Sequence, residues 1–139
     1  MGAPRDTSAS FIEGRMMIPF DTFWNRLKGE FRKAANPKPG VYVLRVAKWS
    51  QRSGDLQGEF TLVWQGGDTV MCSTATTEDW RNIAAAEFKK VYGAWRDYRG
   101  RVKGRSYIVH DLGVQNATWI IPILRKYEAL MDMETSTLQ

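Results

Sequence analysis

Residues 96–127, RDYRGRVKGRSYIVHDLGVQNATWIIPILRKY, combine a run of Arg and Lys with two apolar segments that are joined at Gly113. The apolar residues on both sides of Gly113 recur at helical spacing. Glycine is common where a helix ends, because it adopts the left-handed conformation without strain. The stretch therefore predicts two short helices, over residues 106–112 and from residue 115 or 116 to about residue 127.

This predicted pair resembles a helix-turn-helix, the DNA-binding motif whose second helix enters the major groove. Amide side chains early in the second helix can pair with adenine, and a hydroxyl there can reach a base or a phosphate. The residues expected in these roles are Gln115, Asn116 and Thr118. The chain departs from the motif at Pro122, which tends to kink a helix, and at Val109, where a small residue is common. Plain packing of two helices is the alternative.

The positive charge of the chain is local. Between Phe88 and Tyr127 there are nine Lys or Arg and two Asp, a net charge of +7, whereas the whole chain carries +5 and the remainder therefore −2. Guanidinium groups suit phosphate, and a cluster of them gives affinity that depends on salt and not on base sequence. The residues expected to contact phosphate are Arg96, Arg99, Arg101, Lys103, Arg105, Arg125 and Lys126. The alternative is a solvated basic loop, partly paired with Glu30, Glu59 or Glu87.

The rest of the chain predicts an α+β fold. Its order is an N-terminal helix, a three-stranded antiparallel meander, a long helix and the two shorter C-terminal helices. Aromatic residues at helical spacing predict the first helix over Pro19–Lys33, and a five-turn apolar period predicts the long helix from about Thr77 to Arg99. The expected strands are Val41–Trp49, Glu59–Trp64 and Thr69–Ser73, with a polar loop over Ser50–Gly58.

Gly66 and Gly67 predict a two-residue hairpin turn between the second and third strands, because glycine tolerates positive φ. That turn would pair Trp64 with Thr69 and Leu62 with Met71. Thr76 or Thr77 could cap the long helix, and Gly100 is suited to end it.

The expected domain organisation is a tag, one globular α+β domain over residues 16–131 and a disordered tail over residues 132–139. In residues 1–15, Ile12-Glu13-Gly14-Arg15 resembles the recognition tetrapeptide of a clotting protease that is used to remove tags. A single cysteine excludes an internal disulfide and favours a reducing, cytoplasmic location. No apolar run approaches the roughly 18 to 20 residues that span a bilayer, so we expect no membrane partner.

The sequence offers no coherent catalytic group, so we expect neither an enzyme nor a bound cofactor or metal. His110 and Cys72 are the only histidine and cysteine, which excludes a His/Cys metal cage. Glu87-Phe88-Lys89 has the ExK spacing of many restriction-type nucleases, but within a predicted helix. A metal-dependent nuclease is therefore only the third hypothesis.

The leading hypothesis is a small basic domain that binds nucleic acid, DNA before RNA, through the Arg/Lys-rich turn and the helix after Gly113. The second hypothesis is a protein-interaction or small-ligand module. It rests on the aromatic excess, since Trp24, Trp49, Trp64 and Trp119 are more apolar bulk than one small core requires. Homodimerisation is compatible with both hypotheses.

Overall fold

A four-stranded antiparallel sheet lies at the centre of the structure, a computed structural model that describes residues 16–34, 36–74 and 80–133. Neighbouring strands in the sheet are also consecutive in the sequence. They are β1 (Tyr42–Ser50), β2 (Gly54–Trp64), β3 (Thr69–Thr74) and β4 (Arg81–Ala84). Strands β1 and β4 are consequently the two edges of the sheet.

Helices precede and follow the sheet. They are α1 (Phe20–Lys33), α2 (Ala85–Arg99) and α3 (Ala117–Lys126), with a π-helical turn at Tyr107–Asp111 and a 3-10 turn at Glu128–Met131. The α+β class and the N-terminal helix are as predicted from the sequence. The predicted meander has three strands, whereas the observed meander has four, because β4 adds a strand next to β3.

One face of the sheet and the three helices form the core. Alternate strand residues point to this face, and the pairing aligns Val46 with Phe60 and Leu62 with Cys72, all four of them buried. Helix α1 contributes Phe23, Leu27 and Phe31, each at most 1% exposed. The aromatic stripe of the first helix is therefore core, as its helical spacing favours.

The predicted long helix is too long at its N-terminal end. Residues 81–84 form β4, which pairs Val70 with Ile83 and leaves Ile83 fully buried, and the helix begins only at Ala85. Edge pairing on an existing sheet satisfies the backbone of this segment as well as a helical turn would. The expected caps at Thr76 or Thr77 lie outside the described residues.

The predicted register of the β2–β3 hairpin is wrong by one residue. Trp64 pairs with Val70 and Leu62 pairs with Cys72. Gly66 and Gly67 do adopt positive φ, at 99° and 76°, but within a longer turn that the Trp64 indole closes by donating to the Gly67 carbonyl at 2.9 Å. The observed register buries Val70 and Cys72 in place of the residues next to them, because a shift of one residue exchanges the two faces of a strand.

The polar segment at Ser50–Gly58 is mostly strand and not loop. Strand β1 reaches Ser50, a turn covers residues 51–53, and β2 begins at Gly54. An irregularity between Ala47 and Trp49 shifts the pairing there. The β1–β2 hairpin therefore continues into the polar segment, where the composition had predicted that the strands end.

The C-terminal pair forms around Gly113, whose φ of 70° confirms it as the turn glycine. The segment before it winds as a π-helical turn, and the segment after it is an α-helix that continues through Pro122. Met17 and Asp132, near the two ends of the described part of the chain, form an antiparallel bridge. Residues 1–15 and 134–139, assigned to tag and tail, lie outside the described residues.

In the part of the chain that the structure describes, no helix has the length and apolar character needed to cross a membrane.

Candidate nucleic-acid interface

The basic turn, residues 100–105, is fastened to the β1–β2 turn by Gln51. The Gln51 side-chain amide donates to the carbonyl oxygens of Tyr98 and Lys103, the latter at 3.3 Å. The backbone N–H of Gln51 donates to the Tyr98 hydroxyl at 3.1 Å, and Arg101 Nη2 donates to the Gln51 carbonyl at 3.2 Å. These contacts join segments that lie about fifty residues apart and hold the basic turn beside the end of β1.

Arg101 has a left-handed backbone, with φ at 64°, in a turn that contains two glycines. A non-glycine residue in this conformation is uncommon and costs about 1 kcal/mol or more. Its side chain is exposed, and so is that of Val102 at the tip of the turn. The turn therefore keeps a charged side chain at a position that a glycine would occupy with less strain.

Trp49, near the end of β1, is surrounded by cations. The guanidinium carbons of Arg99 and Arg125 lie 5.4 and 5.5 Å from its ring centroid, and the Tyr98 ring meets it edge-on at 6.5 Å. Guanidinium groups at this distance are attracted to the electron-rich face of an indole. The ring is half-buried, so these contacts hold it in place at the surface.

A groove runs between the β1–β2 hairpin and α3, and consists of two adjoining cavities that share Trp49 and Pro122. The polar cavity, of about 320 Å³, is lined by Arg45, Ala47, Trp49, Asp55, Glu59, Pro122, Arg125 and Lys126. The aromatic cavity, of about 260 Å³, is lined by Lys48, Trp49, Ser50, Leu56, Phe60, Thr74, Arg105, Thr118, Trp119 and Pro122.

Cations outnumber anions along this groove. Five Lys or Arg line the two cavities, against Asp55 and Glu59, and both acids belong to the polar cavity. Glu59 pairs with Arg45, with 3.2 Å between Oε1 and Nη1, and both side chains are exposed. The aromatic cavity has two cations and no acid in its lining, so it is the more positive of the two.

Four residues that the sequence predicts as contacts, Arg105, Thr118, Arg125 and Lys126, line the groove together. Arg105 donates through Nη2 to the Thr118 hydroxyl at 2.6 Å, which ties the basic turn to the first turn of α3. At the other end of α3, Lys126 donates to the carbonyl oxygen of Arg45 on the free edge of β1. Arg125 has a buried Nε with no hydrogen-bond partner among the described residues.

Arg99 lies inside the structure. Its Nε and Nη2 donate to the two carboxylate oxygens of Glu128 at 2.6 and 3.2 Å, and Trp95 Nε1 donates to the same carboxylate at 2.9 Å. The Arg99 side chain is only 13% exposed. This residue has a structural role, and the sequence could not show it because Glu128 lies 29 positions away.

Gln115 and Asn116 stand at the start of α3, where the carboxylate of Glu87 accepts their backbone N–H groups at 2.7 and 2.9 Å. Asn116 Nδ2 also donates to Glu87, at 2.8 Å. Glu87 thus caps α3 from another helix, satisfying N–H groups that a helix start leaves unpaired. The Asn116 amide is engaged in this cap, and the Gln115 side chain is exposed.

The predicted contacts Arg96 and Lys103 also lie outside the groove lining, as do Arg99, Arg101, Gln115 and Asn116. Arg96 is exposed on the last turn of α2 and has contacts within the protein. Lys103 Nζ lies over the Tyr107 ring, 4.6 Å from its centroid.

Sequence reasoning missed Arg45, Lys48 and Trp49 as members of this surface. These three residues lie close together near the end of one strand. The sequence alone shows that this strand end carries two cations and an aromatic residue. What places them opposite α3 is a contact between segments 81 positions apart, as in the bond from Lys126 to Arg45. No local pattern predicts that contact.

Cys72 lies on β3 and is fully buried. Burial raises the pKa of the Cys72 thiol to about 12, so it stays protonated and unreactive at neutral pH. Within the described ranges, no group of three or more His, Cys, Asp or Glu could hold a metal ion.

No protein-family model, curated protein or solved structure matches this chain.

Proposed function

We propose that this protein binds nucleic acid along the groove between the β1–β2 hairpin and α3. The observation that carries the proposal is the composition of the groove, with five cations, two acids and two half-buried tryptophans. Cations give nucleic-acid affinity by displacing condensed counterions, and aromatic rings accept bases without sequence preference. Few other ligand classes need both features along one surface.

The groove is held in shape by the protein itself. Arg105 is hydrogen-bonded to Thr118, the basic turn is hydrogen-bonded to Gln51, and Trp49 contacts the guanidinium groups of Arg99 and Arg125. A ligand therefore meets side chains that are already positioned, which reduces the entropy lost on binding.

The proposed interface is the groove on the protein. Insertion of α3 into the major groove of DNA is not part of the proposal. Six of the ten residues of α3 are buried, and its exposed residues are Thr118 and Lys126. A recognition helix needs several exposed side chains on one face. The helix-turn-helix resemblance remains a prediction to which this proposal adds no support.

Strain at Arg101 also supports a charged ligand. A left-handed residue that is neither Gly nor Asn persists only where the surroundings hold it, and such residues cluster at functional sites. Here the strain presents an exposed cation beside the groove, next to Gln51.

The test is equilibrium binding of the protein to a fluorescent pool of single-stranded and duplex oligonucleotides. We expect binding at about 50 mM salt that weakens roughly 20- to 150-fold at about 200 mM, as three or four phosphate contacts require. Absence of binding at the lower salt concentration, or affinity that does not change with salt, would refute the proposal.

A further inference from the structure

We propose, on the basis of the proposed function, that the groove takes an unpaired nucleotide, with its base in the aromatic cavity and flanking phosphates on the cations around it. The ligand class is therefore single-stranded nucleic acid. Duplex would bind only through its backbone.

The aromatic cavity has the walls that a base requires. Trp119 and Pro122 provide apolar surfaces, Trp49 lies where the two cavities meet, and Leu56, 43% exposed, also lines the cavity. The Trp119 ring meets Phe60 edge-on, at 5.0 Å between centroids and 87° between planes, so its orientation is fixed by the core. Its volume of about 260 Å³ is below the roughly 300–1,000 Å³ of pockets for drug-sized ligands. One ring system fits this space better than a larger molecule.

Charge around the cavity indicates that the ring belongs to a polyanion. Lys48 and Arg105 line the aromatic cavity, and Arg45, Arg125 and Lys126 line the adjoining polar cavity. The two cavities meet at Trp49 and Pro122, so a base in one lies next to cations in both. A single strand likewise places phosphates next to each base, so its phosphates would meet these cations.

The buried Nε of Arg125 is a second, independent observation. It lacks a hydrogen-bond partner among the described residues, and its guanidinium lies over Trp49 at the junction of the two cavities. A buried donor without an acceptor is costly and rare. Because this atom is closed to solvent, a phosphate oxygen at the junction would provide that acceptor once the Arg125 side chain turns toward the groove.

Base pairing prevents this arrangement in a duplex. A base in a duplex is stacked on both faces and paired along its edge, so it reaches a cavity only after extrusion, which costs several kcal/mol. An unpaired base enters without that cost. The groove should therefore prefer a single strand to the same strand in a duplex.

The experiment compares three classes of ligand for binding to the whole chain at constant low salt. They are a single strand of about 12 nucleotides, as DNA and as RNA, the same strand in a duplex, and a nucleoside monophosphate. We expect at least tenfold tighter binding of one single strand than of the duplex, and the tighter of DNA and RNA identifies the sugar. A monophosphate that binds as tightly as the strand, or equal affinity for strand and duplex, would overturn the inference.

Two tryptophan variants make the comparison specific to the cavity. Trp119→Leu should weaken single-strand binding roughly 5- to 150-fold, the effect of losing one stacked base, and leave duplex binding unchanged. Trp80→Leu is the matched control, because Trp80 is 48% exposed and does not line the cavity. Equal effects of the two variants would overturn the inference.

A third variant is a control for the case in which Trp119→Leu does not fold. Trp119→Phe keeps an aromatic ring against Phe60, and it should retain binding while losing part of the tryptophan quenching that a single strand causes. Unchanged quenching in this variant would place the base elsewhere and overturn the inference. If neither strand nor duplex binds the wild-type protein, the proposed function itself fails, which is a different result from equal binding of both.

Discussion

The guanidinium of Arg125 lies over the ring of Trp49, with 5.5 Å between Cζ and the ring centroid. This contact joins α3 to the end of β1 at the point where the two cavities of the groove meet. It brings a cation and an aromatic ring together from distant parts of the chain. The same pair of side chains therefore contributes to the fold and to the surface that we propose for nucleic acid.

The ion pair beneath this surface should be important for stability. In Glu128→Ala, Arg99 and Trp95 lose a buried carboxylate, and breaking a buried pair on one side typically costs about 3–5 kcal/mol. Urea unfolding measures the difference. Lys33→Ala is the control, because its pair with Glu30 is exposed and should contribute at most about 1 kcal/mol. A similar small loss in both variants would show that the buried pair is not important.

Glu87 should act as a helix cap and not as a catalytic acid. Glu87→Ala removes the acceptor for the N–H groups of Gln115 and Asn116, and we expect a loss of about 0.5–2 kcal/mol in the free energy of unfolding. Incubation with plasmid and Mg²⁺ provides the second measurement. Cleavage by the wild-type protein that disappears in Glu87→Gln would instead favour the nuclease hypothesis.

Stability should fall at alkaline pH. Burial raises the pKa of Tyr127 from its ordinary value of 10.0 to about 12, with a smaller contribution from the charge of Glu30. Because the folded state favours the neutral phenol, this stabilisation is complete below about pH 10 and is lost as the pH rises through about 12. Unfolding by urea between about pH 9 and 11 should show the decline, and Tyr127→Phe should reduce its steepness. An identical pH dependence in the variant would contradict this assignment.

Local patterns predicted the elements whose buried residues recur within one segment. The first helix is an example, since Phe23, Leu27 and Phe31 share one face and all pack in the core. The start of α3 was also predictable, because Gly113 must adopt a positive φ just before it.

Elements that depend on distant partners were not predictable in the same way. Ile83 fits a helical period as well as a strand, and only its pairing with Val70 on β3 decides between them. The groove has the same limitation, because Arg45 and Trp49 belong to it only through α3. A single sequence identified the cations of the C-terminal half and could not identify the strand that faces them.

The central claim is that this groove, and not the general basicity of the chain, binds nucleic acid. The most direct test is the slope of log affinity against log salt concentration for a single strand, in two double variants with equal loss of charge. Lys48→Gln with Arg105→Gln removes two groove cations, whereas Lys89→Gln with Lys90→Gln removes two exposed cations of α2 that do not line it. We expect the groove variant to lower the magnitude of the slope by about 1.4 and the α2 variant to leave it unchanged. Equal slopes in the two variants would contradict the central claim.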